Sequence, residues 1–201
     1  MKYAFCRMVA SARPSPATYA DVLRLPPHVT GQIVFGVLHT QARPATAHTR
    51  TASLLGGDLS GPFDRGRGGP GGWILLDEPE LHFGGDVLVP DLAGYRRERM
   101  PALPRAAYLE LAPDWVCEVL SPSTSRLDRG DKRKVYARER VPWLWFVDPD
   151  GKTIEVLSLD EATYRVLDVF SGPGPARIPP FDAIELDPAS LFMPDEEPSE
   201  R

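Results

Sequence analysis

The chain of 201 residues is poor in cysteine, in long apolar runs and in positive charge. Its two cysteines, Cys6 and Cys117, lie far apart and form no Cys-x-x-Cys spacing. A disulfide-stapled scaffold and a zinc finger are therefore excluded, and both thiols read as free groups of a reducing compartment, so a cytoplasmic location is expected. No segment approaches the roughly 20 apolar residues that span a bilayer. The opening stretch Met1 to Ala12 is broken by Arg7 and is too short for the apolar core of a signal peptide. No membrane partner is expected. Internal repeats are absent, and so is the phosphate-cradling pattern Gly-x-x-x-x-Gly-Lys: the glycine cluster from Gly66 to Gly72 is followed by neither a lysine nor a helix. Ser121, Ser123, Thr124 and Ser125 supply hydroxyls without His and Asp in the order of a catalytic triad, so they are assigned to capping and turns.

Positive charge is the most informative scarcity. There are 23 Lys and Arg against 28 Asp and Glu, a net charge of −5, the opposite of the basic excess usual in proteins that bind phosphate backbones. The sum hides a local asymmetry. The last seven residues hold four acids and one base, whereas the stretch from Arg126 to Arg140 holds seven bases and three acids.

Hydrophobic residues at 42% and charged residues at 25% describe an ordinary globular chain of about one domain. Residues 1–16 read as a poorly ordered leader, 17–192 as the domain and 193–201 as an acidic tail. Thr18 with Asp21 three residues on opens a short helix that stops at Pro26-Pro27. The run 32–38 reads as the first arm of a hairpin, and 45–59 as a helix packed on a sheet. Strands are expected at 73–76, 81–83, 86–95, 115–120, 143–149, 153–159 and 164–170, with a charged helix over 128–139. Strands interleaved with helices in this order predict an α/β fold, a mixed β-sheet flanked by helices. Trp143 and Trp145 alternate on a strand and are expected to pack in the core.

Glu118 is the anomaly in this pattern. It interrupts the apolar run Trp115-Val116-Cys117-Glu118-Val119-Leu120, where a carboxylate is costly unless paired, protonated or bound to a metal. Asp91 follows Pro90, which ends a strand and places the next side chain at its rim. A strand-end Asp, a mid-strand Glu and a following Lys-bearing helix form a set with one chemistry in common. Two hard carboxylates suit Mg²⁺, and a nearby lysine can act on a water or on charge at phosphorus.

Pro90-Asp91, then Glu118-Val119-Leu120-Ser121-Pro122-Ser123-Thr124, then Asp128-x-x-x-Lys132-x-x-x-Tyr136, then Val141-Pro142 and Trp145-Phe146-Val147-Asp148-Pro149 resemble the Uma-two family. That family is placed in the PD-(D/E)XK superfamily of restriction-endonuclease-like nucleases. The likeness runs from about Thr18 to about Leu191. It implies a restriction-endonuclease-like core and metal-dependent hydrolysis of DNA phosphodiester bonds. Asp91 and Glu118 would be the ligands of Mg²⁺, with Mn²⁺ as a substitute. The superfamily's lysine two residues after the glutamate is Leu120 here, so the likeness moves that function to Lys132. DNA is the implied partner, with Arg96, Arg97, Arg126, Arg129 and Arg133 along its backbone. A homodimer would cut both strands.

Two departures stand out. Family members commonly carry an acid where this chain has Gln32, which removes a charge and is expected to weaken the metal site. Arg140 stands where a glycine usually precedes the Val-Pro pair. His48 and Glu80 join Gln32 as auxiliary candidates. Gln32 and the modest net charge also support an alternative, a nuclease-fold protein that binds nucleic acid or a protein partner without cutting.

Overall fold

The structure, a computed structural model, describes residues 15–41 and 45–193. Cys6, most of the expected leader and all of the acidic tail except Met193 lie outside the described residues. At the first helix, α1 (Tyr19–Leu23), the Asp21 carboxylate accepts the Thr18 N–H and hydroxyl, both at 2.8 Å. This reciprocal cap lets so short a helix form.

The run expected as one strand over 32–38 is instead a complete turn with the ends of two strands, β1 (Thr30–Val34) and β2 (Val37–Gln41). Phe35 and Gly36 between them have φ of 50° and 76°. Two successive residues at positive φ make the tight turn whose twist matches an antiparallel pair. Apolar residues on both sides of Gly36 make the run look continuous in sequence.

The segment expected as one strand over 86–95 also divides. β5 (Asp86–Leu88) and β6 (Leu92–Arg96) belong to different sheets. Pro90 between them cannot donate to a ladder. One sheet runs β2-β1-β5-β4, with β4 at Leu81–Phe83. The other runs β10-β9-β8-β7-β6-β3, with β3 at Trp73–Asp77, β7 at Trp115–Val119, β8 at Trp143–Asp148, β9 at Thr153–Asp160 and β10 at Thr163–Ser171. Among the described strands only β7 and β8 pair in parallel; Glu118 lies opposite Phe146 in that register.

Alternation along β7 assigns its residues to two cores. Val116 and Leu120 pack with Val34, Leu88, Tyr95, Val135 and Phe146. Trp115, Cys117 and Val119 pack on the opposite face with Leu55, Leu59, Trp145 and Phe181. The first face is covered by the small sheet and by a helical segment made of α3 (Ser125–Leu127), a π-helical turn (Asp128–Lys132) and α4 (Arg133–Arg138). The second is covered by α2 (Thr46–Leu59), which runs into another π turn at Ser60–Asp64. Trp145 is fully buried and its Nε1 donates to the Pro179 carbonyl at 2.8 Å, which accounts for its place in the core. The fold is an α/β fold of the restriction-endonuclease-like kind, with a mixed sheet flanked by helices. No helix among the described residues is long and apolar enough to cross a membrane.

Asp86 ties the small sheet to the helical cover. Its buried carboxylate accepts the Phe35 N–H at 2.6 Å and the Arg138 guanidinium at 2.7 Å. Asp86→Ala leaves the hairpin amide without its partner, and the expected loss is about 1–3 kcal/mol, read from the urea-denaturation midpoint.

Candidate active site

The site forms where β5 hands over to β6. Val89 lacks a ladder partner at this crossing, and the Gln32 Oε1 accepts its N–H at 2.9 Å. Asp91 then substitutes a side chain for the missing ladder on the other side: its Oδ2 accepts the Val119 N–H at 2.7 Å. The end of β7 and the start of β6 are thereby locked together through the carboxylate that the sequence singles out.

Glu118 points to the face covered by the helical segment. Lys132 Nζ lies 2.7 Å from each of its carboxylate oxygens, and the Tyr136 hydroxyl donates to Oε1 at 2.5 Å. Lys132 also stands 3.2 Å from Asp128 Oδ1 and 3.5 Å from the Val89 carbonyl. Glu118, Asp128 and Lys132 are all at most 2% exposed. Burial pushes the Glu118 carboxyl up to about 8 against the pull of the Lys132 ammonium. For Lys132, burial works against the charge, but Glu118 and Asp128 outweigh it and the ammonium is held more firmly than usual. Burial, followed by Glu118, keeps the Tyr136 phenol well above its ordinary range, so it acts as a donor. Burial likewise pushes the Cys117 thiol well up, leaving it an inert part of the core.

His48, in the first turn of α2, reaches the other carboxylate, with Nε2 3.2 Å from Asp91 Oδ1. Burial alone would lower its pKa, but the Asp91 contact outweighs it and the net shift is upward. A cavity of about 470 Å³ adjoins the group, lined by His48 and Val89 together with Thr30, Thr40, Ser121 and Thr124.

The structure thus brings Asp91, Glu118, Lys132, His48 and Gln32 to one place. Glu80 is elsewhere: it pairs with His82 at 2.7 Å, whose ring stacks on Tyr108. Arg96 and Arg97 sit at the far end of β6, roughly 15 Å along the strand from Asp91. There Arg96 covers the Trp73 ring at 4.0 Å and Arg97 pairs with Asp64 at 2.6 Å. Arg129 pairs with Glu155 and covers Phe146, and Arg133 donates to the Tyr164 carbonyl. Arg126 is exposed, two residues after the Ser121–Thr124 wall of the cavity. Lys134 points to solvent and pairs with Asp131.

Asp128 and Tyr136 carry no assigned role in the sequence reading. Their signal was present, because Asp128, Lys132 and Tyr136 recur every fourth residue and share one helical face. The strand position of Glu118, however, had to be known before that face could be matched to a carboxylate.

A family model described as "Putative restriction endonuclease", Uma2, matches residues 19–189. The chain belongs to the Uma2 family. A search of curated proteins found no match. Among solved structures, a protein from Anabaena variabilis described as a "putative nuclease belonging to DUF820" superposes with a TM-score of 0.71. It is 22% identical, over 88% of this chain and 97% of that one. At that identity it is the fold that is shared, and the Uma2 assignment rests on the family match.

Removing either partner of the central pair leaves the other buried without its counterpart. Lys132→Met and Glu118→Gln are each expected to destabilise the Uma2 domain. In the double variant the losses are expected to fall short of additivity by about 1–3 kcal/mol, measured as a double-mutant cycle in denaturant.

Proposed function

We propose that this chain is a divalent-cation-dependent endonuclease that hydrolyses DNA phosphodiester bonds, with Mg²⁺ as the cofactor and Mn²⁺ as a substitute. The observation that supports this best is the meeting of Asp91, Glu118 and Lys132 at one sheet end, beside an open cavity. The donor set suits a hard cation. Three carboxylates, Asp91, Glu118 and Asp128, surround one lysine, and Asp128 Oδ1 accepts no hydrogen bond. Asp91 Oδ1 and Oδ2 and Glu118 Oε2 keep spare lone pairs after their present contacts. Among the described residues no three of His, Cys, Asp and Glu form a metal-holding group. Mg²⁺ keeps several waters and can be held by one or two protein carboxylates.

Asp91 and Glu118 would hold the cation, which when bound supplies Lewis acidity and a more acidic water. Tyr136 fixes the rotamer of Glu118, and Asp128 holds Lys132 within reach of that carboxylate. Lys132 brings the fixed positive charge that favours a phosphorane-like transition state. Arg126 is the basic residue best placed to meet the DNA backbone near the cavity mouth, with Arg129 and Arg133 farther along the helical segment. Arg96 and Arg97 would contact DNA only if it extends across the opposite end of β6.

Nicking of supercoiled plasmid in Mg²⁺ or Mn²⁺ tests the proposal. Asp91→Ala and Glu118→Gln are each expected to lower the rate by about a hundredfold or more, and unchanged rates in both would sink it. Arg126→Ala is expected to weaken DNA binding at every sequence and to reduce the salt dependence of log K by about one.

A second reading has its own support. Gln32 is fully buried and its Nε2 has no partner, a neutral amide one residue from the carbonyl that faces Lys132. A site short of an acid favours a protein that binds nucleic acid, or a protein partner, without cutting it. Salt-sensitive DNA binding with no metal-stimulated nicking would select this reading.

A further inference from the structure

We infer that His48 is a gate on the cation position, its imidazole occupying the Asp91 oxygen Oδ1 that a divalent cation needs and leaving it when the cation enters. The inference rests on the metal-dependent reading above and adds how entry to that site is controlled.

His48 Nε2 stands 3.2 Å from Asp91 Oδ1. A carboxylate oxygen at a strand end is a hard donor of the type that Mg²⁺ and Mn²⁺ select. In the present arrangement Asp91 Oδ1 faces the ring nitrogen Nε2. Lys132 differs in this respect, because Asp128 gives its ammonium a second anion and it can stay while Glu118 turns to a cation.

The ring is held from one side only. Its Nδ1 is buried and has no hydrogen-bond partner, so the polar contact that holds His48 is the one with Asp91. There is also room for it to move, since His48 lines the cavity of about 470 Å³. A cation that must first displace the ring binds with an apparent affinity reduced by the fraction of molecules in which Asp91 is free. Removing the imidazole raises that fraction to one.

The test is a calorimetric titration of the full chain with Mn²⁺ at one fixed pH, comparing the unmodified protein with His48→Ala and His48→Leu. Neither replacement can ligate a metal or donate a hydrogen bond, and leucine fills the space if alanine compromises the fold. Both variants are expected to bind Mn²⁺ about threefold to tenfold more tightly, the range set by one displaced hydrogen bond. Asp91→Asn should abolish the heat in every background. The rise in Tm on adding Mn²⁺ should also be larger in the His48 variants. A purely structural role for His48 would not improve affinity. Equal or weaker binding in the variants overturns the gate, with weaker binding marking His48 as a ligand, and the metal-dependent reading survives. No Asp91-dependent heat in any protein, the unmodified one included, overturns the gate and that reading together.

Discussion

The burial of Lys132 against Glu118 is the constraint around which the rest of this structure is arranged. A carboxylate in the middle of a central strand is tolerable only if a cation reaches it without bringing water along. The helical segment over 125–138 meets that requirement by lying across the β7 face. It brings the ammonium within 2.7 Å of Glu118 and places the Tyr136 hydroxyl on the same group. Val135 and Ala137 on that segment join the apolar cluster that shuts the face. Packing and charge pairing thus come from the same turns, and neither could be kept without the other.

The second organising feature is the crossing at Val89-Pro90-Asp91. A sheet change leaves main-chain groups without ladder partners, and here side chains take them over: Gln32 serves Val89 and Asp91 serves Val119. The carboxylate proposed as a cation ligand is therefore also a structural one, and its orientation is set by a main-chain amide on the neighbouring strand. Because Asp91 begins where one sheet stops, it faces the gap between the sheets, where the cavity opens.

Much of this was legible in the sequence. The strand at 115–120, the helix capped by Thr18 and Asp21, the buried Trp145 and the fold class all follow from periodicity, capping and residue order. The turn at Phe35-Gly36 was not, because it sits inside an apolar run whose hydrophobicity continues across it; Pro90 marked a strand end, but not the change of sheet beyond it. Glu118 announced itself as a polar residue in an apolar run, and Asp91 as a residue after proline. Asp128 and Tyr136 gave no such signal, since an acid and a tyrosine on a charged helix are ordinary until the opposing strand is known. The partners of the basic residues were hidden for a similar reason. Sequence counts their charges, but only the fold reveals that Arg97 and Arg129 are already committed to Asp64 and Glu155.

The π-helical turn at Asp128–Lys132 sets the angular phase of everything beyond it. Arg133 N–H reaches back five residues to the Asp128 carbonyl, so the helix is locally wider than an α-helix by one residue. Gly130, whose missing side chain would meet nothing within 4 Å, marks where that extra residue is carried. Winding the same residues as a regular α-helix would rotate α4 by about 100° relative to α3. Tyr136 would then leave Glu118 while Val135 and Ala137 left the core. By carrying the extra residue, the turn keeps Tyr136 on Glu118 and Val135 in the core together.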